Sequence, residues 1–258
     1  MDGSRVDLRM GDVNPPILFM KTLALPQHVA VIMDGNGRWA KAHHLTRSQG
    51  HLEGVKRVEE IIFEASQSGI KILTLYAFST ENWRRPKDEV TLLMRTLISV
   101  LNQKAKDLHV NGIKINFIGR REGIPDAVLK AMDQSISLTK DNTSMTLNIA
   151  FNYGARSEII DALKTVYEKI KQKKLNIDDV NEDNFGLYLY TKEQPDVDLL
   201  IRTSGEFRIS NFLLWQISYA ELYFTSKYWP EFTAKEFHLA LKSFASRERR
   251  FGGVKAVV

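Results

Sequence analysis

Short apolar runs alternate with longer stretches of helical periodicity along most of this chain, and that alternation limits the fold more than any other feature. The spacing predicts strands at Val29–Met33, Lys71–Phe78, Ile113–Gly119, Met145–Phe151 and Asp198–Arg202, with a sixth at Leu222–Phe224. Between them it predicts helices at His51–Ser68, Lys87–Val110, Asp126–Thr139, Arg156–Lys171 and Ala234–Ser246, and a short helix at Asp183–Tyr190. Gly69 and Gly112 fall where the first two long helices should stop, and Pro86 where the second should begin. Parallel strands need a long crossover, usually a helix, so the pattern implies an α/β fold with a mostly parallel central sheet of about six strands flanked by helices. Such a sheet binds ligands beyond the carboxyl ends of its strands. Asp34, Ser79 and Arg202 all fall at or just past a predicted strand end, so they should share one rim.

At 258 residues the chain can bury one full core, and no low-complexity linker divides it. Residues 1–24, with the Pro15-Pro16 pair, read as a loosely ordered leader; 25–253 read as one catalytic domain and 254–258 as a tail. The net charge of +5 fits an anionic partner but is too mild to choose between nucleic acid, an acidic membrane and a phosphorylated substrate. The chain has no cysteine, which excludes disulfides, thiolate metal sites and cysteine nucleophiles. No segment has the length and apolarity to span a bilayer, and the N-terminus lacks a signal-peptide apolar core, so a cytoplasmic location is expected.

Four clusters carry chemistry. In the first, the apolar run from His28 ends at Asp34-Gly35-Asn36-Gly37-Arg38-Trp39. Two glycines let backbone N–H groups turn toward an anion, and Arg38 supplies a forked cation. An acid beside a phosphate cradle makes sense if a divalent metal bridges the two, since like charges otherwise repel. The bland reading is an ordinary Asp-Gly turn. The second cluster, Ser79-Thr80-Glu81-Asn82-Trp83-Arg84-Arg85-Pro86, joins a strand to a helix. Capping by Ser79 or Asn82 explains its polar residues, but a tryptophan beside two arginines suits a substrate-facing loop. In the third, Arg202 and Arg208 flank Gly205, with Thr203, Ser204 and Ser210 nearby, a pattern that suits an anion pocket. In the fourth, Glu221 sits among large apolar residues and needs a partner: a metal, an arginine or a hydroxyl. Arg47, Gly50 and His51 precede the first long helix, whose N-terminus could hold phosphate. The run Arg247-Glu248-Arg249-Arg250 reads by itself as a solvated face.

These clusters converge. The stretches HVAVIMDGNGRWAK (28–41), RSQGH (47–51), TLYAFSTENWRRP (74–86), TLNIAFNYG (146–154), LLIRTSGEFRISNFLLWQISYAELYF (199–224) and RERRFGG (247–253) resemble, in order and over residues 25–253, the cis-prenyltransferases, or Z-isoprenyl diphosphate synthases, particularly the bacterial undecaprenyl diphosphate synthases.

The resemblance implies a homodimer with a long apolar tunnel in each subunit. It implies repeated addition of isopentenyl diphosphate to an allylic diphosphate such as farnesyl diphosphate, each new double bond cis, with Mg2+ required. By position, Asp34 would be the central acid, and Asn82 would lie near the condensing carbons. Gly35, Asn36, Gly37, Arg38, Trp39, Arg47, His51, Ser79, Trp83 and Arg85 would serve the allylic diphosphate. Arg202, Arg208 and Ser210 would hold isopentenyl diphosphate, with Arg250 and Gly252 reaching across the dimer. Asp34 and Glu221 would organise the metal. Helix faces at 51–68 and 87–110, with Met145 and Leu147, would line the tunnel. A greasy product points to peripheral membrane contact, although nothing encodes an anchor.

The chain departs from the family at two positions. Phe207 stands where bacterial relatives often carry a histidine near the metal, and Met145 where leucine is common at the tunnel floor. Three other readings compete: a non-catalytic partner subunit, an aspartate-nucleophile phosphatase, and a nucleic-acid binder. The first should lose the acid-glycine motif that stands here intact; the second wants an aspartate where Asn36 stands; the third lacks an aromatic-basic ladder.

Overall fold

The structure, a computed structural model, describes residues 24–249. Strand β1 (His28–Ile32) is buried along its whole length, because helices cover both faces of the sheet it centres. Around it lie β2 (Ile72–Ser79), β3 (Ile113–Ile118), β4 (Met145–Tyr153), β5 (Leu199–Arg202) and β6 (Glu221–Phe224). They form one sheet in the order β3-β4-β2-β1-β5-β6, and every neighbouring pair is parallel. The helices are α1 (Asn36–Ala42), α2 (Arg47–Gln67), α3 (Lys87–Val110), α4 (Asp126–Thr139), α5 (Ala155–Lys171), α6 (Glu182–Phe185) and α7 (Ala234–Ala245). The leader, the tail, Arg250 and Gly252 lie outside the described residues.

Every predicted strand and helix is present. Helices α3 and α4 have the predicted ends, whereas α2 begins four residues earlier than expected. The reason is a capping box: Thr46 Oγ1 accepts from Gln49 N–H, and Gln49 Oε1 accepts from Thr46 N–H. The short helix expected at 183–190 is α6 followed by a 3-10 turn at Gly186–Tyr188. Helix α1 was not expected, being too short to show a period.

The connections set the site. From β1 the chain crosses to β2 on one side, and from β5 it crosses to β6 on the other. The crevice at this switch of direction, beyond the carboxyl ends of β1 and β5, is where a sheet of this kind opens to a ligand. Val29, Val31, Leu73, Leu75 and Leu147 face a core shared with α2, α3 and α7. Ala30, Ile32 and Leu200 face the opposite core with Phe212 and Leu213. A buried polar file crosses the sheet: Asn116 donates to Asn148, Asn148 to Thr74, and Thr74 meets His28 Nε2 at 2.7 Å. The Pro195 carbonyl can only accept, so His28 Nδ1 carries the proton and Nε2 accepts from the Thr74 hydroxyl.

Two arginines of the 247–250 charge run are engaged rather than simply solvated. Arg247 Nη1 pairs with Glu221 at 2.8 Å and Arg249 Nη1 with Asp198 at 2.5 Å, tying this stretch to β6 and the start of β5.

Candidate active site

Asp34 follows β1 and is clamped to the loop after β5. Its N–H donates to Thr203 Oγ1 at 2.9 Å, and that hydroxyl donates to the Asp34 carbonyl at 2.6 Å. Its carboxylate meets two arginines: Oδ2 accepts from Arg202 Nη2 at 2.9 Å, and Oδ1 pairs with Arg38 Nη2 at 3.0 Å. Burial pushes the Asp34 carboxyl up, but hydrogen bonds and charge from Arg202 and Arg38 outweigh it and hold it below the usual carboxylate range. The group is ionised at neutral pH.

Arg202 is 4% exposed, and its second nitrogen donates to Ser210 Oγ at 2.8 Å and to the Arg208 carbonyl. Its buried Nε has no protein partner among the described residues. Arg38 also donates to Ser204 Oγ at 2.6 Å and pairs with Glu206, which in turn pairs with Arg208. The loop that carries these groups is strained: Ser204, Ser210 and Asn211 all have positive φ, an arrangement that persists only when neighbours over-determine it.

The facing wall comes from α1, α2 and the start of α3. Glu89 Oε1 gathers Arg85 at 2.8 Å, Arg47 at 3.1 Å and His51 Nε2 at 3.4 Å. Burial lowers the His51 pKa; Glu89 opposes the shift, and the charges of Arg85 and Arg47 add to it. Helix α1 starts from Gly35 at φ 108, and a Cβ there would lie 2.8 Å from the Tyr228 ring. A Cβ on Gly54 would lie 2.4 Å from Asn36 Oδ1, so glycine lets α2 seat against α1 and hold that side chain at the rim.

Two cavities meet here. One of about 480 Å³ is lined by Gly35, Asn36, Gly37, Arg38, Arg47, His51 and Arg85. The other, of about 780 Å³, runs between the sheet, α2 and α3, with Leu75, Leu147, Ile149, Ile62 and Leu97 in its wall and Ser79, Asn82, Arg202, Arg208 and Ser210 at one end. Asp34, Asn36, His51 and Arg85 belong to both. A cationic mouth therefore opens into a hydrocarbon-lined barrel.

Five of the residues singled out in the sequence lie outside both cavities. Trp39 lines neither cavity and stacks on His43 at 4.3 Å, because α1 turns its ring outward. Trp83 also lines neither; its Nε1 donates to Asn152 at 2.7 Å and its ring packs edge-on to Phe78, so it braces the turn at Thr80–Arg84. Within one chain Glu221 does not join Asp34. It opens β6 opposite Leu199, about 10 Å of strand before the rim, and pairs with Arg247. Met145 packs in the core beside Ile113 and does not belong to the cavity wall. Phe207 is 79% exposed against Phe224.

Two residues escaped the sequence reading. Glu89 looks like an ordinary helix-start acid and Glu206 like a turn residue. Only the spacing of Glu89 after Arg85, one helical turn, hinted at a pair.

The family described as "Putative undecaprenyl diphosphate synthase" matches residues 32–252. An isoprenyl transferase of Clostridium perfringens is 48% identical over 231 residues, 90% of this chain and 91% of its own length. A ditrans,polycis-undecaprenyl-diphosphate synthase of Pasteurella multocida, specific for (2E,6E)-farnesyl diphosphate, is 52% identical over 231 residues, 90% of this chain and 96% of its own. The crystal structure of lavandulyl diphosphate synthase from Lavandula x intermedia, in complex with dimethylallyl diphosphate, is similar with a TM-score of 0.86 at 38% identity, covering 88% of this chain and 98% of that one.

Proposed function

The chain belongs to the undecaprenyl diphosphate synthase family, and on that premise we propose that it condenses isopentenyl diphosphate repeatedly onto farnesyl diphosphate or a similar allylic primer. The product is a long-chain cis-polyprenyl diphosphate such as undecaprenyl diphosphate, the precursor of a lipid carrier for cell-wall glycan. One observation carries the reading: the cationic mouth and the apolar barrel share Asp34, His51 and Arg85, so a molecule with a diphosphate head and a hydrocarbon tail fits across both.

In each round the carbon–oxygen bond to the allylic diphosphate breaks, a carbon–carbon bond forms to the alkene, and a proton leaves to restore a double bond. Negative charge grows on the departing diphosphate. Arg38, Arg47 and Arg85, with N–H groups at the start of α1, are the donors that meet it. Arg202, Arg208 and Ser210 hold the second diphosphate, and Arg202 joins the two subsites through Asp34. Asn82 has its Oδ1 engaged by Ser79 N–H at 3.2 Å, which orients its amide at the cavity wall. Alignment of alkene and allylic carbon is the positioning task these groups share.

The residues fit a magnesium ion carried by substrate. Among the described residues no three acidic or histidine side chains cluster as a ready metal cage. Asp34 offers one ionised carboxylate, and magnesium is commonly held by one or two carboxylates plus substrate phosphates. Bound there, it would stabilise the leaving diphosphate.

The proposal includes a homodimer: β6 is a sheet edge with exposed Leu222, and Tyr219 just before it is exposed too, a surface that is normally covered. Contact with a membrane would be peripheral, to deliver the product; among the described residues no helix is long and apolar enough to cross one. The test is to incubate purified protein with magnesium, farnesyl diphosphate and labelled isopentenyl diphosphate and to size the dephosphorylated chains. A ladder ending in a long polyprenol is expected. A folded protein that incorporates no label with any short allylic primer would overturn the reading.

A further inference from the structure

Glu59 on α2 and Lys104 on α3 form an ion pair of 2.7 Å, and both belong to the wall of the long cavity. On its other side Lys104 lies 3.9 Å from Asp107, which is 57% exposed and is not part of the cavity wall. The pair therefore stands between cavity and solvent and closes the cleft between the two helices at this level. Around it the wall is hydrocarbon, with Val58 and Ile62 on α2 and Val100 and Leu101 on α3.

The helices are tied at a second place, where Arg47 and His51 of α2 approach Glu89 of α3. From His51 to Glu59 is about 12 Å of helix, whereas from Glu89 to Lys104 is about 22 Å. Two arms of such unequal length cannot lie side by side between their ties, and the cavity occupies the space they leave.

We propose that Glu59 and Lys104 determine product length by latching this cleft. The inference rests on the elongation reading above. Each added unit drives the tail further from the diphosphate end. A hydrocarbon tail gains nothing against an ion pair, so while the pair holds, the tail stays inside and growth stops when the space is filled. When the pair opens, the tail passes between α2 and α3 and growth continues. Both heads are partly hydrated, and Asp107, 3.9 Å from Lys104 Nζ, offers the ammonium a second carboxylate. The latch is therefore weak and screened by salt.

The experiment compares product lengths from wild type, Glu59→Gln, Lys104→Gln and Lys104→Arg, with melting temperature measured on each. Either glutamine variant is expected to raise the share of chains longer than the main wild-type product by about twofold or more, with little change in melting. The arginine variant, which can still pair, keeps the wild-type distribution. Salt at about 1 M moves the wild type toward Glu59→Gln and leaves Glu59→Gln where it is. Identical distributions from all four proteins would overturn the latch and leave the elongation reading intact. A wild type that makes no polyprenol would overturn both.

Discussion

Asp34 and Arg202 are 168 residues apart in sequence and meet at 2.9 Å. The arginine is almost wholly buried and the carboxylate faces the cavity, so a rigid cation fixes the acid from behind and reaches Ser210 with its other nitrogen. One guanidinium thus ties Asp34 to the loop that carries Arg208 and Ser210.

Asp34→Asn keeps the shape and removes the charge. The incorporation rate should fall on the order of a hundredfold to a thousandfold, the scale on which one electrostatic group at a developing charge acts. Circular dichroism should remain that of wild type. A variant with nearly full activity would sink the central role given to Asp34.

Arg202→Lys keeps the charge and loses the fork that spans Asp34 and Ser210. Steady-state kinetics should show the KM for isopentenyl diphosphate raised about tenfold, near 1.4 kcal/mol of binding. Arg202→Met should also destabilise, by about 2 kcal/mol, less than for a fully buried pair because Asp34 keeps some water. Urea melts will read that difference.

Glu89→Gln removes the carboxylate that raises the His51 pKa and leaves Arg85 and Arg47 beside the ring. The His51 pKa should therefore drop further, and an NMR titration of the imidazole protons measures it. An unchanged or higher value would show that Glu89 does not organise this wall.

Folding stability should carry the signature of His28. Burial lowers its pKa to about 4 from 6.5, while the Pro195 hydrogen bond and the Asp198 charge oppose the shift. Between these values the unfolded chain binds a proton that the folded chain refuses, so stability is complete above about pH 6.5 and is lost as the pH falls toward 4. The loss amounts to about 3 kcal/mol over the window. Denaturant melts across pH should show it, and His28→Gln should flatten this part of the profile.

The periodic segments were legible because their signal is local. Val55, Val58, Ile62 and Ala65 repeat at helical spacing whatever surrounds them, and the runs before Asp34 and Arg202 end in charge because a strand there ends at a rim. Most of the residues that the motifs assign to diphosphate line the two joined cavities. Trp39 and Trp83 fall outside those cavities, a placement the sequence could not show because an aromatic beside arginine looks the same whether it faces a ligand or braces a turn.

The sequence alone therefore established the α/β order, the family and the inventory of charged and hydroxyl groups, all of which depend on residue type and short spacing. Tertiary structure settled which of those groups meet. The order β3-β4-β2-β1-β5-β6 sets β5 beside β1 and brings Arg202 to Asp34, while β6 starts well below that rim and leaves Glu221 with Arg247. It also turned Glu89 into the hub of a cationic wall and matched Glu59 with Lys104 across the cleft between α2 and α3. Such meetings depend on strand order and helix crossing, which arise from packing the whole core at once and leave no periodic trace along the chain.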